Sequence, residues 1–376
     1  MLDLQEIRNE IDQVDREIVA LYEKRMEMCK NVAEYKIQTG KKVFDNEREL
    51  IKIQKVRELA NNDFNRHGVE ELFEQIMAMS RKLQYKLLAD QGVTGKLPFI
   101  AVDSIQDEKS RIVFQGTEGA YSQQAMKTYF GEDINSFHVE TFRDAMEAIE
   151  EGAADFAVLP IENSSAGVVC EVYDLLVEFE NYIIGEQIIK VEHSLLGVPG
   201  AKIEEIETVY SHPQALMQST KFLNQHRNWK QISIQNTAVA AQKVLQEGDK
   251  TQAAIASSYA ASLYGLEVLE EKINFSSNNS TRFIIVTNQK IFLKNAKKIS
   301  ICFEVPHESG SLYHMLSHFI YNNLNMNKIE SRPLADHNWE YRFFIDFDGN
   351  LADGAVKNAL RGLRDEARNM KILGNY

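Results

Sequence analysis

From Leu4 to about Ile37 the chain carries no Gly or Pro, and Leu4, Ile7, Ile11, Val14, Ile18, Leu21 and Tyr22 recur at steps of three and four. That spacing predicts one long amphipathic helix, ended by Gly40. At 1.5 Å per residue the helix would be about 50 Å long, more than a compact domain of roughly 90 residues can cover by itself. Much of its apolar stripe is therefore expected to pack on a second chain. Two shorter helical stretches, Asn46 to about Ala60 and Val69 to about Leu88, are separated by Asn61-Asn62-Asp63 and Gly68. Residues 1–90 read as an all-helical domain. Gly92, Gly95 and Pro98, then Gln106-Asp107-Glu108-Lys109-Ser110, mark 91–110 as a linker.

A different pattern follows. Short apolar runs (Ile112 to Phe114, Phe156 to Leu159, Thr208 to Tyr210, Ala253 to Ala256, Phe283 to Val286) alternate with helical segments. This predicts an α/β domain over 111–288, with helices on the faces of a sheet. The basic stretch Lys290 to Lys298 marks a further boundary. Beyond it come a strand (Ile299 to Val305), a helix opening near Ser309, strands around Asn327 to Arg332 and Tyr341 to Phe347, and a helix from about Ala352 to Met370. That βαββα order is expected of a small ferredoxin-like α+β domain over 298–376.

The length, 376 residues, agrees with a multidomain chain of two or three cores. Its 42 basic and 55 acidic side chains sum to −13, which excludes a field that gathers nucleic acid or anionic membrane non-specifically. An anionic ligand would need a local cluster of cations. No apolar run reaches the roughly 18 residues of a membrane span, and the start lacks the pattern of a signal peptide, so a cytoplasmic protein is expected. Cys29, Cys170 and Cys302 are scattered and form no CxxC pair, which suggests reduced thiols rather than a disulfide framework or a metal site.

Candidate chemistry begins on the first helix. Arg25 and Lys36, eleven residues apart, fall within roughly 20° of each other on the stripe of Ile18, Tyr22, Cys29 and Val32. Snorkelling explains one cation on an apolar face better than two; desolvated cations attract anions, and a carboxylated ligand can supply them. Asp45 or Asn46 is placed to cap the second helix, and Ser80 and Gln84 lie one turn apart on the third. Together Arg8, Arg25, Lys36, Asp45, Arg48, Glu49, Ser80 and Gln84 resemble, in order and spacing, the all-helical class of chorismate mutase. The resemblance implies an intertwined dimer in which Arg8 enters the partner's pocket, with a tetramer of paired dimers left open. It also implies that Arg25 and Arg48 bind the two carboxylates of chorismate, that Lys36 and Gln84 hydrogen-bond the ether oxygen, that Glu49 holds the ring hydroxyl, and that Asp45 and Ser80 support the site.

Four segments at strand ends carry the chemistry of the α/β domain: Gly116-Thr117-Glu118-Gly119-Ala120-Tyr121-Ser122, Pro160-Ile161-Glu162-Asn163-Ser164, Ser211-His212-Pro213-Gln214 and Thr281-Arg282-Phe283. His212 alone reads as a helix cap or packing residue rather than a base. In combination the segments resemble the prephenate dehydratase family. This implies two α/β subdomains of the type-two periplasmic-binding-protein kind with prephenate between them. By the same resemblance, Thr281 is the acid for the departing hydroxyl, Thr117, Ser122, Asn163, Ser164 and Arg282 hold the carboxylates, and Glu162 supports the cleft.

In the last domain, Gly310-Ser311-Leu312-Tyr313 and Glu330-Ser331-Arg332-Pro333 resemble the two motifs of the ACT domain appended to prephenate dehydratases, with Ser311 where Ala is usual. The resemblance implies L-phenylalanine bound between two such domains as an allosteric inhibitor. Gly310, Ser311, Leu312, Glu330, Ser331, Arg332 and Pro333 would contact it. The chain as a whole is similar to the bifunctional chorismate mutase and prephenate dehydratase family, acting without a cofactor. A non-catalytic amino-acid sensor is the competing reading; it would have no need of Lys36, Gln84 or Thr281.

Overall fold

A computed structural model describes residues 3–92, 97–105, 109–276, 278–334 and 339–376. Gly95 and Gln106-Asp107-Glu108 of the expected linker lie outside the described residues. The chain divides into two compact units, Met1–Pro98 with Ile301–Lys371, and Phe99–Ser300 with Ile372–Tyr376.

Three helices open the first unit: α1 (Leu4–Thr39), α2 (Asn46–Glu58) and α3 (Asp63–Asp90). Asp3 caps α1 by accepting from the Gln5 N–H at 2.8 Å, and Gly40 ends it at φ 68, where an L side chain is strained. Asp45 caps α2, accepting from the Arg48 N–H at 3.1 Å. The expected break at Gly68 is absent: α3 runs through it, since one glycine costs an exposed helix only about 1 kcal/mol. Ala33, Val43, Tyr85 and Leu88 form a small core, yet Ile11, Val14, Ile18 and Leu21 remain more than half exposed.

The second unit runs β1 (Ile100–Val102), β2 (Arg111–Gln115), α4 (Tyr121–Phe130), β3 (Asn135–Val139), α5 (Phe142–Glu150), β4 (Phe156–Asn163), β5 (Gly167–Val168), α6 (Cys170–Glu178), β6 (Tyr182–Lys190) and β7 (His193–Gly197). It continues with β8 (Thr208–Ser211), α7 (Pro213–Gln218), α8 (Thr220–Leu223), β9 (Lys230–Ser233), α9 (Thr237–Glu247), β10 (Gln252–Ser257), α10 (Ser258–Tyr264), β11 (Glu267–Glu270), β12 (Ser280–Thr287) and β13 (Ile291–Leu293). One sheet has the order β6-β12-β4-β2-β3, and a second has β11-β7-β10-β8-β9. Ala254 and Ala256 face one core of the second sheet, while Ala253 and Ile255 face the other. Helices cover both faces, so the strand is apolar at every position rather than at alternate ones.

The expected linker holds a strand. β1 pairs in parallel with β13, which itself lies in the basic stretch read as a boundary.

The C-terminal segment, of which Ile301–Lys371 belong to the first unit, runs β14 (Lys298–Glu304), α11 (Ser311–Tyr321), β15 (Met326–Pro333), β16 (Tyr341–Asp348), α12 (Gly354–Glu366) and β17 (Arg368–Asn375). The expected βαββα is thus βαββαβ, with strand order β15-β16-β14-β17. The final helix stops at Glu366 because Ala367 is extended, and Ile372 and Leu373 are buried in the added strand. Within this unit α3 packs on α11 and α12. Tyr85 Oη donates to Asp365 Oδ2 at 2.9 Å, and Lys82 Nζ donates to Ser317 Oγ at 2.9 Å while lying 3.4 Å from the centre of the Tyr321 ring. Burial pulls the Lys82 ammonium down to about 7.

Candidate active sites

In the first unit a cavity of about 630 Å³ opens among α1, α2 and α3. Arg25, Lys36, Lys41, Lys42, Arg48, Lys52 and Arg81 line it, against the carboxylates of Asp45 and Glu49. In a chain of net charge −13 this local excess of cations suits a dianion. Arg25 Nη1 donates to Ser80 Oγ at 2.5 Å, and Ser80 passes its own hydrogen to the Ile76 carbonyl at 2.8 Å, which fixes the guanidinium. One turn on, Gln84 Nε2 donates to the Ser80 carbonyl at 3.2 Å. Its Oε1 is buried and has no hydrogen-bond partner among the described residues. Lys36 Nζ donates to the Val43 carbonyl at 2.7 Å and keeps two further N–H groups. Burial lowers the Lys36 pKa, with Asp45 opposing.

The structure therefore brings together Arg25, Lys36, Asp45, Arg48, Glu49, Ser80 and Gln84. Arg8 is exposed and does not line this cavity. It precedes Arg25 by seventeen residues on the same helix, about 25 Å along the axis. Arg81 joins the site although the sequence singles out only Ser80 and Gln84 on α3. Its Nη1 donates to Glu49 and its Nε to Glu366 Oε1 at 2.9 Å. Burial works against its charge, but Glu366 and Glu49 outweigh that and raise its pKa. A partner 285 residues away leaves no local pattern to read.

In the second unit a cavity of about 280 Å³ lies between the two sheets. Gly116 from the turn after β2, Ser122 from the start of α4, Asn163 from the end of β4, Thr281 from β12, and His193 and His212 line it. Gly116 has φ 114, and a Cβ there would come within 3.4 Å of Ala120 and 3.5 Å of Ser122 Oγ, so the turn favours glycine. Ser122 Oγ donates to the Gln115 carbonyl at 2.5 Å. Asn163 Nδ2 donates to Thr281 Oγ1 at 2.9 Å, which leaves the Thr281 hydrogen free to be given elsewhere. Behind this pair runs a buried network. Asn163 Nδ2 also donates to Asn279 Oδ1, Asn279 Nδ2 donates to Gln218 Oε1 at 3.1 Å, and His193 Nε2 lies 2.9 Å from the same oxygen. Burial lowers the pKa of His193 and of His212. His212 caps α7, accepting from the Gln214 N–H through Nδ1 at 3.2 Å, as its sequence position suggested.

Arg282, Glu162, Thr117 and Ser164 do not line this cavity. Arg282 follows Thr281 on a strand, so its side chain leaves by the opposite face, where it approaches Glu162 and Glu186 at 3.6 and 3.5 Å. Ser164 instead ties two strand ends together, donating to the Asn278 carbonyl and accepting from the Ser280 N–H, each at 3.0 Å. The Thr117 hydroxyl turns back to the Glu118 carbonyl at 3.3 Å. His193 and Gln218 were not singled out in the sequence; β7, which carries His193, sits in a run with no turn motif of its own.

A third cavity, of about 400 Å³, lies in the C-terminal part of the first unit and is lined by Ser311, Leu312, Trp339, Tyr341 and Phe343 among others. Gly310, at φ 79, begins α11 beside it. Glu330, Ser331, Arg332 and Pro333 are not in its wall; they lie on the edge strand β15, where Ser331 and Pro333 pair with Phe343 and Tyr341.

Two sequence families match the two regions just described: chorismate mutase type II over residues 7–85 and prephenate dehydratase over residues 112–291. The bifunctional chorismate mutase/prephenate dehydratase of Escherichia coli (strain K12) is 32% identical, over 98% of this chain and 95% of that protein. A crystal structure of prephenate dehydratase from Arthrobacter aurescens in complex with L-Phe is 30% identical with a TM-score of 0.66, covering 71% of this chain and 89% of that one. A chain described as GqqA, a novel type of quorum quenching acylase, is 31% identical with a TM-score of 0.64, covering 71% and 96%. The class is thus an enzyme with a helical chorismate mutase domain and an α/β prephenate dehydratase domain. The chain belongs to the bifunctional chorismate mutase/prephenate dehydratase family.

Proposed function

We propose that residues 1–90 rearrange chorismate to prephenate, that residues 111–288 convert prephenate to phenylpyruvate, and that residues 298–376 form a ferredoxin-like ACT domain through which L-phenylalanine inhibits. The observation that carries this reading is the pair of cavities in one chain, one walled by Arg25, Arg48 and Lys36, the other holding Thr281 against Asn163. A [3,3] rearrangement breaks the ether C–O bond as a C–C bond forms, and requires no nucleophile or base. Arg25 and Arg48 would hold the carboxylates in a compact conformer, and Lys36 and Gln84 would stabilise charge on the ether oxygen. Glu49 would accept from the ring hydroxyl.

In the second reaction the carboxylate leaves as carbon dioxide, its bonding electrons enter the ring, and the ring hydroxyl departs with the Thr281 proton as water. Aromatisation drives the step. Asn163, donating to Thr281 Oγ1, stabilises the oxygen that has given up its proton, which water then restores. Ser122 and the amides at the start of α4 are the nearest candidates for a substrate carboxylate.

The exposed stripe of α1 supports a homodimer in which Arg8 reaches the partner's cavity. The edge position of Glu330 to Pro333 supports an effector site completed by a second copy. We place the enzyme in the cytoplasm. Supplying chorismate and prephenate separately, with and without L-phenylalanine, tests the whole reading: phenylpyruvate should form from both and fall when L-phenylalanine is added. Formation of neither prephenate nor phenylpyruvate from chorismate would favour the sensor.

A further inference from the structure

We propose that Arg81 is a positioning residue of the mutase site, and that its anchor, Glu366, makes the C-terminal module a working part of that site. The proposal rests on the mutase reading and adds to it a residue that no motif assigns. Arg81 is 7% exposed, and its guanidinium lies 5.0 Å from the Phe44 ring. One edge of the planar group holds Glu366, through Nε to Oε1 at 2.9 Å and Nη2 to Oε2 at 3.4 Å. The remaining nitrogen, Nη1, holds Glu49. Two carboxylates on one rigid fork have a fixed relation to each other, which a lysine's single ammonium could not impose. His318, 2% exposed, backs Glu366 with Nε2 at 3.2 Å from Oε1.

The two carboxylates belong to different parts of the unit. Glu49 is in the cation-lined cavity; Glu366 closes α12 of the βαββαβ module. On the far side of the bridge is another cavity, of about 370 Å³, whose wall includes Glu49, Arg81 and Glu366. It shares Pro306, Glu308, Ser309 and Ser311 with the C-terminal cavity. The bridge therefore stands between the mutase cavity and the module proposed to bind the effector. Without Glu366, Arg81 is free to turn wholly toward Glu49 or away from it. Without Arg81, the Glu49 and Glu366 carboxylates, whose side chains are 23% and 5% exposed, lose their shared counterion. In either case Glu49 leaves the position from which it would meet the ring hydroxyl.

The test uses the full-length chain and the isosteric variant Glu366→Gln, which leaves every residue of the mutase cavity in place. Wild-type turnover of chorismate is measured first, and its absence would defeat both the mutase reading and this proposal. With turnover present, Glu366→Gln should lower kcat/KM for chorismate by about tenfold to a hundredfold, the scale of a misplaced contact, and leave dehydration of supplied prephenate unchanged. The effect should largely vanish in a Glu49→Gln background, because both changes act on the same contact. Arg81→Lys should fail to restore wild-type kcat/KM. A Glu366→Gln variant that melts earlier yet keeps full mutase kcat/KM would overturn the proposal, as would a loss that adds in full to that of Glu49→Gln. Should Glu366→Gln fold poorly, His318→Gln loosens the same anchor more gently and is read by the same criteria.

Discussion

Replacing Lys36 by Met separates catalysis from stability within one residue. Met retains most of the apolar stem, so packing on the α1 stripe changes little. What is lost is the ammonium, with its bond to the Val43 carbonyl at 2.7 Å and the proposed donation to the ether oxygen. Removing one preorganised donor to developing charge costs about 3–4 kcal/mol, or 10²–10³ in kcat. Val43 is 3% exposed, and leaving a buried carbonyl unpaired costs about 1–3 kcal/mol of stability. Because Val43 borders the cavity, water can replace the ammonium, which puts the cost near 1 kcal/mol. A loss of that size lowers the melting temperature by roughly 2–4 °C and leaves the chain folded at assay temperature. Initial rates of chorismate loss, rates with supplied prephenate, and a thermal melt measure the three quantities. The variant should lose at least a hundredfold in the first, keep the second, and shift the third by a few degrees. A mutase loss below tenfold, or an equal loss of dehydratase, would refute the reasoning.

Thr281→Ala should lower prephenate dehydration by about 10²–10⁴, the range of a positioned acid, and Thr281→Ser should recover part of it; equal rates for Ala and Ser would remove Thr281 from the chemistry. Since burial lowers the Lys36 pKa and the ammonium is the active form, kcat/KM for chorismate should fall as pH rises through a value below the ordinary lysine range of about 10.4. The residual activity of Lys36→Arg should lack that fall, and a limb unchanged in position would contradict the assignment. Lys82, pulled to about 7 in the folded chain, binds fewer protons there than in the unfolded chain between pH 7 and about 10.4, so its contribution to stability rises with pH across that window. Lys82→Met should accordingly be more stable than wild type near pH 6.5, with an advantage that shrinks toward pH 10; a difference independent of pH in chemical denaturation would contradict it.

Most of the architecture was legible where one element carries its own signal. The apolar steps of α1, the cap at Asp45 and the runs that became β2, β4, β8, β10 and β12 are local patterns, and so were readable. Gly68 misled because a single glycine is tolerated when the flanking helix packs well. The stretches read as boundaries around 100 and 292 conceal a strand pair, because two three-residue strands far apart in sequence become strands only by meeting each other. The final strand was missed for a similar reason: Ile372 and Leu373 gain their burial from a sheet that local periodicity does not reveal.

At the sites the same division holds. Residues in motifs, such as Lys36, Ser80, Gln84, Asn163 and Thr281, could be proposed because those motifs resemble the ones of known families. Arg81, His193 and Gln218 have roles set by partners that only the fold brings near. Arg282 shows the converse: it sits beside Thr281 in a motif, but the two-residue period of a strand sends it to the other face.

The most direct test of two sites acting in sequence follows chorismate at neutral pH in Lys36→Met and Thr281→Ala, quantifying prephenate and phenylpyruvate separately by chromatography. Thr281→Ala should convert chorismate and stop at prephenate, while Lys36→Met should leave chorismate nearly untouched and still convert added prephenate. Phenylpyruvate formed from chorismate at the wild-type rate by either variant, or both activities lost together in each, would contradict the account.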